Sequence, residues 1–255
     1  MLFARKVSLG LVLLLLSEYV RAAELQITYL ANEGVLLACG NDKLLIDALL
    51  RDSLDDYVRH SPEVQRKLEG GQPPFDGVEL ALATHFHLDH WDAGAISHFL
   101  RNSPQALFAS TPQATAMMPY SQRAQVRALW PDPGKSEELQ RGNVKVRAFR
   151  LDHGQTQNLA YRVTICGREV YHLGDAEGSP EDLAALHGVG PPDILLTPFW
   201  WLLSKPSVGF LTHDWKPRQI VAMHFGSSSA KDAEKVQRDW PKAWVLQTQG
   251  EMRTF

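Results

Sequence analysis

The chain has 255 residues, 44% of them hydrophobic and 22% charged, with a formal net charge of -3. That balance excludes a disordered chain, a collagen-like repeat and a disulfide-dense mini-protein, and it gives no basic field for nucleic acid. Ten histidines stand against two cysteines, so a metal site in this chain would be built on imidazole and carboxylate rather than thiolate.

Arg5 and Lys6 precede an apolar run from Val7 to Leu16, and Val20-Arg21-Ala22 offers a small residue for cleavage after Ala22. A charged start, a short apolar stretch and a small residue, in that order, mark a signal peptide. Glu18 and Arg21 interrupt the apolar run, which falls short of the roughly 20 residues of a membrane span. Residues 1–22 are therefore expected to be removed. Residues 23–255 then form one exported domain, periplasmic or secreted, with no stable membrane span. Export makes a disulfide between Cys39 and Cys166 chemically feasible. Each cysteine stands just before a glycine at a hairpin turn, and both are expected to be buried, unpaired strand residues.

Residues 25–30 alternate as a strand. Residues 35–38 and 43–47 flank Cys39-Gly40-Asn41-Asp42 as a hairpin. Residues 49–68 are charged and periodic and are predicted helical, with Ser61-Pro62 as a restart point. After a loop at 70–74, the continuous apolar run 78–83 predicts a buried strand that ends at Thr84. A helix is predicted over 93–100, a strand over 106–110 and mostly helix over 112–129, broken by Trp130-Pro131-Asp132-Pro133-Gly134. Residues 144–151 alternate as a strand, and 159–165 with 169–173 form a second hairpin that ends at Gly174-Asp175. A short helix over 180–186 and a strand over 194–197 lead to the aromatic loop Phe199-Trp200-Trp201. A helical stretch near 210–215, a strand over 220–223, a helix over 230–240 and a strand over 243–247 complete the chain. This alternation of strands and helices argues an α/β class.

The segment Thr84-His85-Phe86-His87-Leu88-Asp89-His90 lies between a buried strand and a helix. His85 and His87 are two apart, so in extended backbone they project to the same side. Asp89 and His90 reach a neighbouring point as the chain turns. A lone histidine is usually a plain surface or core residue, but four ligand-type side chains within six residues are expensive to bury without a cation. Further candidates each follow a predicted strand: His153, Asp175 and His224. Seven candidates at four strand ends match a centre of two divalent ions, with about three protein ligands each, a bridging carboxylate and open positions for water.

These residues resemble the metallo-β-lactamase superfamily. The motif His-x-His-x-Asp-His stands at His85-Phe86-His87-Leu88-Asp89-His90, and His153, Asp175 and His224 follow in the family's order. The resemblance covers nearly all of 25–250 and implies a four-layer αβ/βα sandwich with metals at one edge between two sheets. It implies that His85, His87 and His153 hold a first metal, that Asp89, His90 and His224 hold a second, and that Asp175 bridges them. Zinc is the first expectation; the donor set also admits manganese or iron. The acidic Asp175 and the absence of a cysteine ligand argue against β-lactam cleavage. Asp47 and the strand 193–197 look like the branch that contains lactone hydrolases and phosphodiesterases. Only about thirty residues follow His224, too few for the extra helical domain of glyoxalase-II-like enzymes.

The implied reaction is hydrolysis of an ester, lactone or phosphodiester in a small-molecule substrate by a metal-bound hydroxide, with Asp89 orienting the water or shuttling its proton. Trp200 and Trp201 are candidates for an apolar wall over the metals, against a core reading of equal weight, and His213 is a weaker substrate-binding candidate. His60, His98 and His187 read as surface helix residues. The competing readings are a non-catalytic metal-binding envelope protein on the same fold, and a β-lactam or thioester hydrolase. A degenerate binding module would have lost ligands, whereas all seven positions are filled here. A redox protein of the di-iron branch would carry Glu in place of His87.

Overall fold

The computed structural model describes residues 23–53 and 56–255, so the expected signal peptide lies outside the described residues. The first half of the chain supplies β1 (Gln26–Ala31), β2 (Gly34–Cys39), β3 (Asp42–Ile46), β4 (Leu80–Leu82), β5 (Leu107–Ser110) and β6 (Val126–Ala128). Helices α1 (Pro62–Glu69), α2 (Ala93–Asn102) and α3 (Pro112–Ala116) lie between them. The second half supplies β7 (Ser136–Arg141), β8 (Val144–Leu151), β9 (Asn158–Ile165), β10 (Arg168–His172), β11 (Ile194–Pro198), β12 (Gln219–Met223) and β13 (Trp244–Val245). Its helices are α4 (Pro180–His187), α5 (Lys205–Gly209) and α6 (Ala230–Asp239). A last strand, β14 (Met252–Thr254), returns to pair with β1.

Two seven-stranded sheets result, ordered β14-β1-β2-β3-β4-β5-β6 and β13-β12-β11-β10-β9-β8-β7. In each, antiparallel hairpins (β1 to β3, and β7 to β10) give way to parallel pairing (β3 to β6, and β10 to β13). Pleating explains the layers, because successive residues face opposite sides of a strand. Leu44 and Ile46 point into a core between the sheets with Val146, Val163, Val170 and Val221. Leu45, between them in sequence, faces the other way and packs with Ala81 and Phe108 against Ile96 and Phe99 of α2. On the far side Tyr171, Leu195 and Ala222 meet Leu186 of α4 and Val236 of α6. The order is helices, sheet, sheet, helices: the four-layer αβ/βα sandwich.

Polar ties cross between the sheets beside the carboxyl ends of the parallel strands. The Tyr161 hydroxyl donates to the Ala83 carbonyl at 2.7 Å. His172 Nε2 donates to the Glu33 carbonyl at 3.0 Å, while its Nδ1 accepts from the Gly174 amide at 3.2 Å. Burial pushes the His172 imidazole down, which keeps it in the neutral form these two bonds require.

Several sequence expectations change. Cys39 and Cys166 are joined in a disulfide 127 residues apart in sequence, not unpaired. Cys39 ends β2 in one sheet and Cys166 sits at the β9–β10 turn of the other, so the bond staples the two sheets together. The helix over 49–68 is realised only from Pro62. Before it, tertiary partners take the backbone groups a helix would use: the Leu49 carbonyl accepts from Asp92 and the Val58 carbonyl from Asn32. The predicted helix at 112–129 stops at Ala116, and Pro119 leads into a 3₁₀ turn over Tyr120–Gln125 before β6. Strand β7 was not foreseen because its Ser-Glu-Glu-Leu-Gln-Arg sequence is polar, as suits an exposed edge. His60 lies in the coil before α1, with Nε2 donating to the Ala48 carbonyl at 2.7 Å.

Replacing Cys39 and Cys166 together by alanine is expected to cost about 2–4 kcal/mol. Urea unfolding should show this loss, and reductant should bring the unaltered protein down to the same midpoint.

Candidate metal centre

Six strand ends deliver the candidate side chains to one edge of the sandwich. Asp47 follows β3, His85 follows β4, His153 follows β8, Asp175 follows β10, Trp200 follows β11 and His224 follows β12. Asp47 and His224 take left-handed backbone at φ 48° and 68°, a cost of roughly 1–2 kcal/mol each for non-glycine residues. Gly174 (φ 55°) has no room for a side chain: a Cβ there would lie 2.7 Å from the Asn158 Oδ1 and Thr84 Cβ atoms. Asp175 can enter the cluster because its predecessor is glycine.

The seven candidates converge as two groups. In the first, His85 Nε2 lies 3.0 Å from His87 Nδ1, and His153 Nε2 lies 3.4 Å from the same nitrogen. Asp175 Oδ2 is 3.7 Å from both His85 Nε2 and His153 Nε2. In the second, His90 Nε2 and His224 Nε2 are each 3.3 Å from Asp175 Oδ1. Asp89 Oδ2 is 3.5 Å and 3.6 Å from those same nitrogens. Asp175 therefore turns one carboxylate oxygen to each group.

This donor set fits two cations. A tetrahedral ion with ligands at about 2.0–2.1 Å spaces its ligand atoms by about 3.4 Å, and all eight separations lie close to that. His90 Nε2, Asp175 Oδ1 and His224 Nε2 are buried without a hydrogen-bond partner, an arrangement that costs stability unless a cation satisfies them.

The inward lone pairs are fixed from behind. Thr84 Oγ1 donates to Asp47 Oδ2 at 2.7 Å, and His85 Nδ1 donates to Thr84 Oγ1 at 3.1 Å. His90 Nδ1 donates to Asp47 Oδ2 at 2.9 Å. One buried carboxylate thus sets the tautomers of both His85 and His90 and leaves each Nε2 free to face the cluster. His87 shows its Nδ1 inward, and its Nε2 donates to Thr156 Oγ1 at 3.3 Å. Asn32 Nδ2 donates to Asp89 Oδ2 at 3.0 Å.

The electrostatics are those of opposite charges packed together. Burial opposes ionisation of Asp175, yet the imidazoles of His90 and His224 hold its carboxyl well below the usual range. Burial opposes charging His90 too, and Asp175 with Asp47 outweighs it. His85, buried beside His90, is pushed well down. Glu33, fully buried near Asp175, is pushed well up.

The substrate candidates separate. Trp200 stands edge-on to His224 with ring centroids 5.0 Å apart and donates Nε1–H to the Ala176 carbonyl. Trp201 is fully buried in the core behind it and donates to the same carbonyl, so it supports the wall rather than facing the cluster. Phe210 and Trp215 are core residues as well. His213 is exposed and lines a different cleft with Lys235, Asp239 and Trp240; the structure does not bring it to the cluster. Tyr57, which the sequence reading does not single out, packs edge-on against His224 at 4.7 Å.

Asn32, Glu33 and the relay role of Asp47 and Thr84 were not read from the sequence either. The available signal was the polar triplet Asn32-Glu33-Gly34 set between two apolar strands. Two clefts adjoin the first group. One of about 750 Å³ is lined by Trp130, Arg150, His153 and Thr156, and a smaller one of about 330 Å³ by Phe86, His87, Trp91 and Met117.

Asp47→Ala releases both relay histidines at once. Metal affinity is expected to fall about 10–100-fold, read as the metal retained on equilibrium dialysis against a graded chelator.

Residues 42–233 match the family described as the beta-lactamase superfamily domain. A UPF0173 protein of Pyrococcus furiosus is 28% identical over 174 residues, 66% of this chain and 78% of that protein. A UPF0173 metal-dependent hydrolase of Saccharolobus solfataricus is 26% identical over 176 residues, 68% of this chain and 70% of that protein. Among solved structures, a possible metal-dependent hydrolase from Veillonella parvula superposes with a TM-score of 0.68 at 18% identity, covering 91% of this chain and 100% of that one. With the match spanning most of its length and the two-sheet sandwich of the metallo-β-lactamase fold, this chain belongs to the beta-lactamase superfamily.

Proposed function

We propose that this protein is an exported metal-dependent hydrolase that uses two divalent cations to cleave an ester, lactone or phosphodiester bond. The observation that carries the reading is Asp175, whose two oxygens face two separate groups of imidazoles at 3.3–3.7 Å. In the proposal His85, His87 and His153 hold one ion, Asp89, His90 and His224 the other, and Asp175 both. Zinc suits the imidazole-rich first position. Bound there, such ions lower the pKa of water toward about 7 and polarise the bond under attack.

The protein's own groups do the rest. Asp89 is fixed by Asn32 beside His90 and His224, placed to orient the attacking water and to take its proton. The Asp47 relay holds two imidazoles in the tautomers that face inward. Trp200 and Tyr57 enclose His224 and exclude water from that side. The side chain of His153 is 22% exposed, against 0% for His90 and 7% for His224, so substrate enters past the first group, from the larger cleft.

The Cys39–Cys166 disulfide supports export, since such bonds persist in oxidising compartments. The names of the Saccharolobus and Veillonella proteins, a metal-dependent hydrolase and a possible one, support a hydrolase. The acidic bridge and the engagement of both cysteines in a disulfide disfavour β-lactam cleavage.

A panel of lactones, phosphodiesters, thioesters and β-lactams tests the bond class. His87→Ala should lose one equivalent of metal and reduce kcat/KM on the turned-over substrate by about a thousandfold or more, the loss of several kcal/mol of charge stabilisation. Full turnover by chelated protein would exclude the metal-dependent reading. Trp200→Ala should raise KM about 3–10-fold with little change in kcat, as removal of one aromatic wall implies. A fall in kcat alone would place Trp200 outside the substrate wall.

A further inference from the structure

Glu33 is the one carboxylate at the centre with no assigned part. It lies in the β1–β2 turn and its side chain is fully buried. Neither of its carboxylate oxygens has a hydrogen-bond partner. The nearest ring N–H, at His90 Nδ1, is 3.8 Å away and is already committed to Asp47. A buried carboxyl group without hydrogen-bond donors is costly, so the fold must gain something by holding it there.

The turn is built to hold it. Asn32 adopts left-handed backbone, φ 38°, and its side chain bonds Asp89. The Glu33 carbonyl accepts from His172. Gly34 has no room for a side chain, since a Cβ would sit 2.6 Å from the Asp47 carbonyl. The turn is thus pinned to three residues in or behind the cluster, and what it delivers is one acidic side chain. A carboxylate oxygen of Glu33, one of Asp175 and a ring nitrogen of His224 all lie within 4.8 Å of one another.

We propose that Glu33 is an additional ligand at the second position, giving that position three carboxylates and two imidazoles, a set that suits a hard dication such as Mn²⁺ better than the imidazole-rich first position does. The inference rests on the two-cation reading above. Carboxylate oxygen suits Mn²⁺, which favours octahedral coordination, whereas imidazole-rich four-coordinate sites suit Zn²⁺. The first group offers three imidazoles and a single Asp175 oxygen, so the two positions differ in kind. Glu33 separates them, because without it the second set of two imidazoles and two carboxylates is also four-coordinate.

The test titrates metal-free full-length protein with Mn²⁺ alone and with Zn²⁺ alone. Bound Mn²⁺ is followed by electron paramagnetic resonance, and Zn²⁺ by competition with a chromophoric chelator. The unaltered protein should bind two Mn²⁺. Glu33→Gln, which keeps the shape and removes the charge, should weaken one Mn²⁺ about tenfold or more, leave the other unchanged, and shift Zn²⁺ less. Glu33→Asp should fall between the two. Unchanged Mn²⁺ binding in Glu33→Gln would overturn the inference, as would equal weakening of both positions or of both metals, since these denote a general structural role. Should Glu33→Gln fail to fold, a crystal structure of the unaltered protein loaded with Mn²⁺ decides. Glu33 Oε at about 2.0–2.6 Å from the ion supports the inference, and separation beyond about 4 Å overturns it. If the unaltered protein binds fewer than two ions of either metal, the two-cation reading itself falls, an outcome distinct from a failure of Glu33 alone.

Discussion

Burying charge is the constraint on which the rest of this structure depends. Five imidazoles and the carboxylates of Asp47, Asp89, Asp175 and Glu33 meet at one edge of a sandwich whose neighbouring interior is aliphatic. Isolated, each ionised group would cost several kcal/mol to take from water. Together they are tolerable only in a fixed geometry, with every proton placed and the remaining lone pairs directed at a common point. Much that is unusual in the fold serves that end. Asn32, Asp47 and His224 accept left-handed backbone, Gly174 makes room for Asp175, and Asp47 serves two histidines through a single Oδ2 and the Thr84 hydroxyl. Tyr161 and His172 tie the two sheets together beside the cluster, so that candidate ligand groups drawn from both halves of the chain keep their spacing.

What could be read from the sequence was what is local. His85 and His87 share a direction because extended backbone repeats every two residues, and Asp89 and His90 follow within one turn of chain. His153, Asp175 and His224 were visible as single polar residues closing apolar strands, and the structure brings all of them to the same edge. What stayed hidden depends on contacts between distant segments. Glu33 lies 57 residues before His90, and nothing near it in sequence says that its turn reaches the cluster. Cys39 and Cys166 pair only because β2 and the β9–β10 turn meet across two sheets. The segment before Pro62 has helical periodicity, yet its Val58 and Leu49 carbonyls bond to the β1–β2 turn and to the loop before α2 instead. Hydrophobic period is a statement about one segment, and these outcomes are statements about two.

The aromatic residues divide along the same line. Composition shows Phe199-Trp200-Trp201 as one cluster, but a 3₁₀ turn over Phe199–Leu202 points neighbouring rings in different directions. Trp201 goes into the core, Trp200 lies edge-on to His224, and Phe199 stacks on Phe225 at 5.0 Å. Both tryptophans donate to the Ala176 carbonyl, directly after Asp175. That shared acceptor couples the two indoles to the Asp175 carboxylate: the backbone that positions Asp175 is the backbone on which both indoles are hung.

The two halves of the centre therefore differ in more than their ligand atoms. The first is the open one, with His87 and His153 partly exposed beside clefts that hold Trp130, Arg150 and Met117. The second is enclosed, with His90 and Glu33 fully buried and His224 in edge contact with both Tyr57 and Trp200. Enclosure raises the strength of every electrostatic interaction there, because little water remains to screen it. Arg150, stacked on Trp130 at 4.0 Å from its ring centroid, adds a fixed positive charge to the open side.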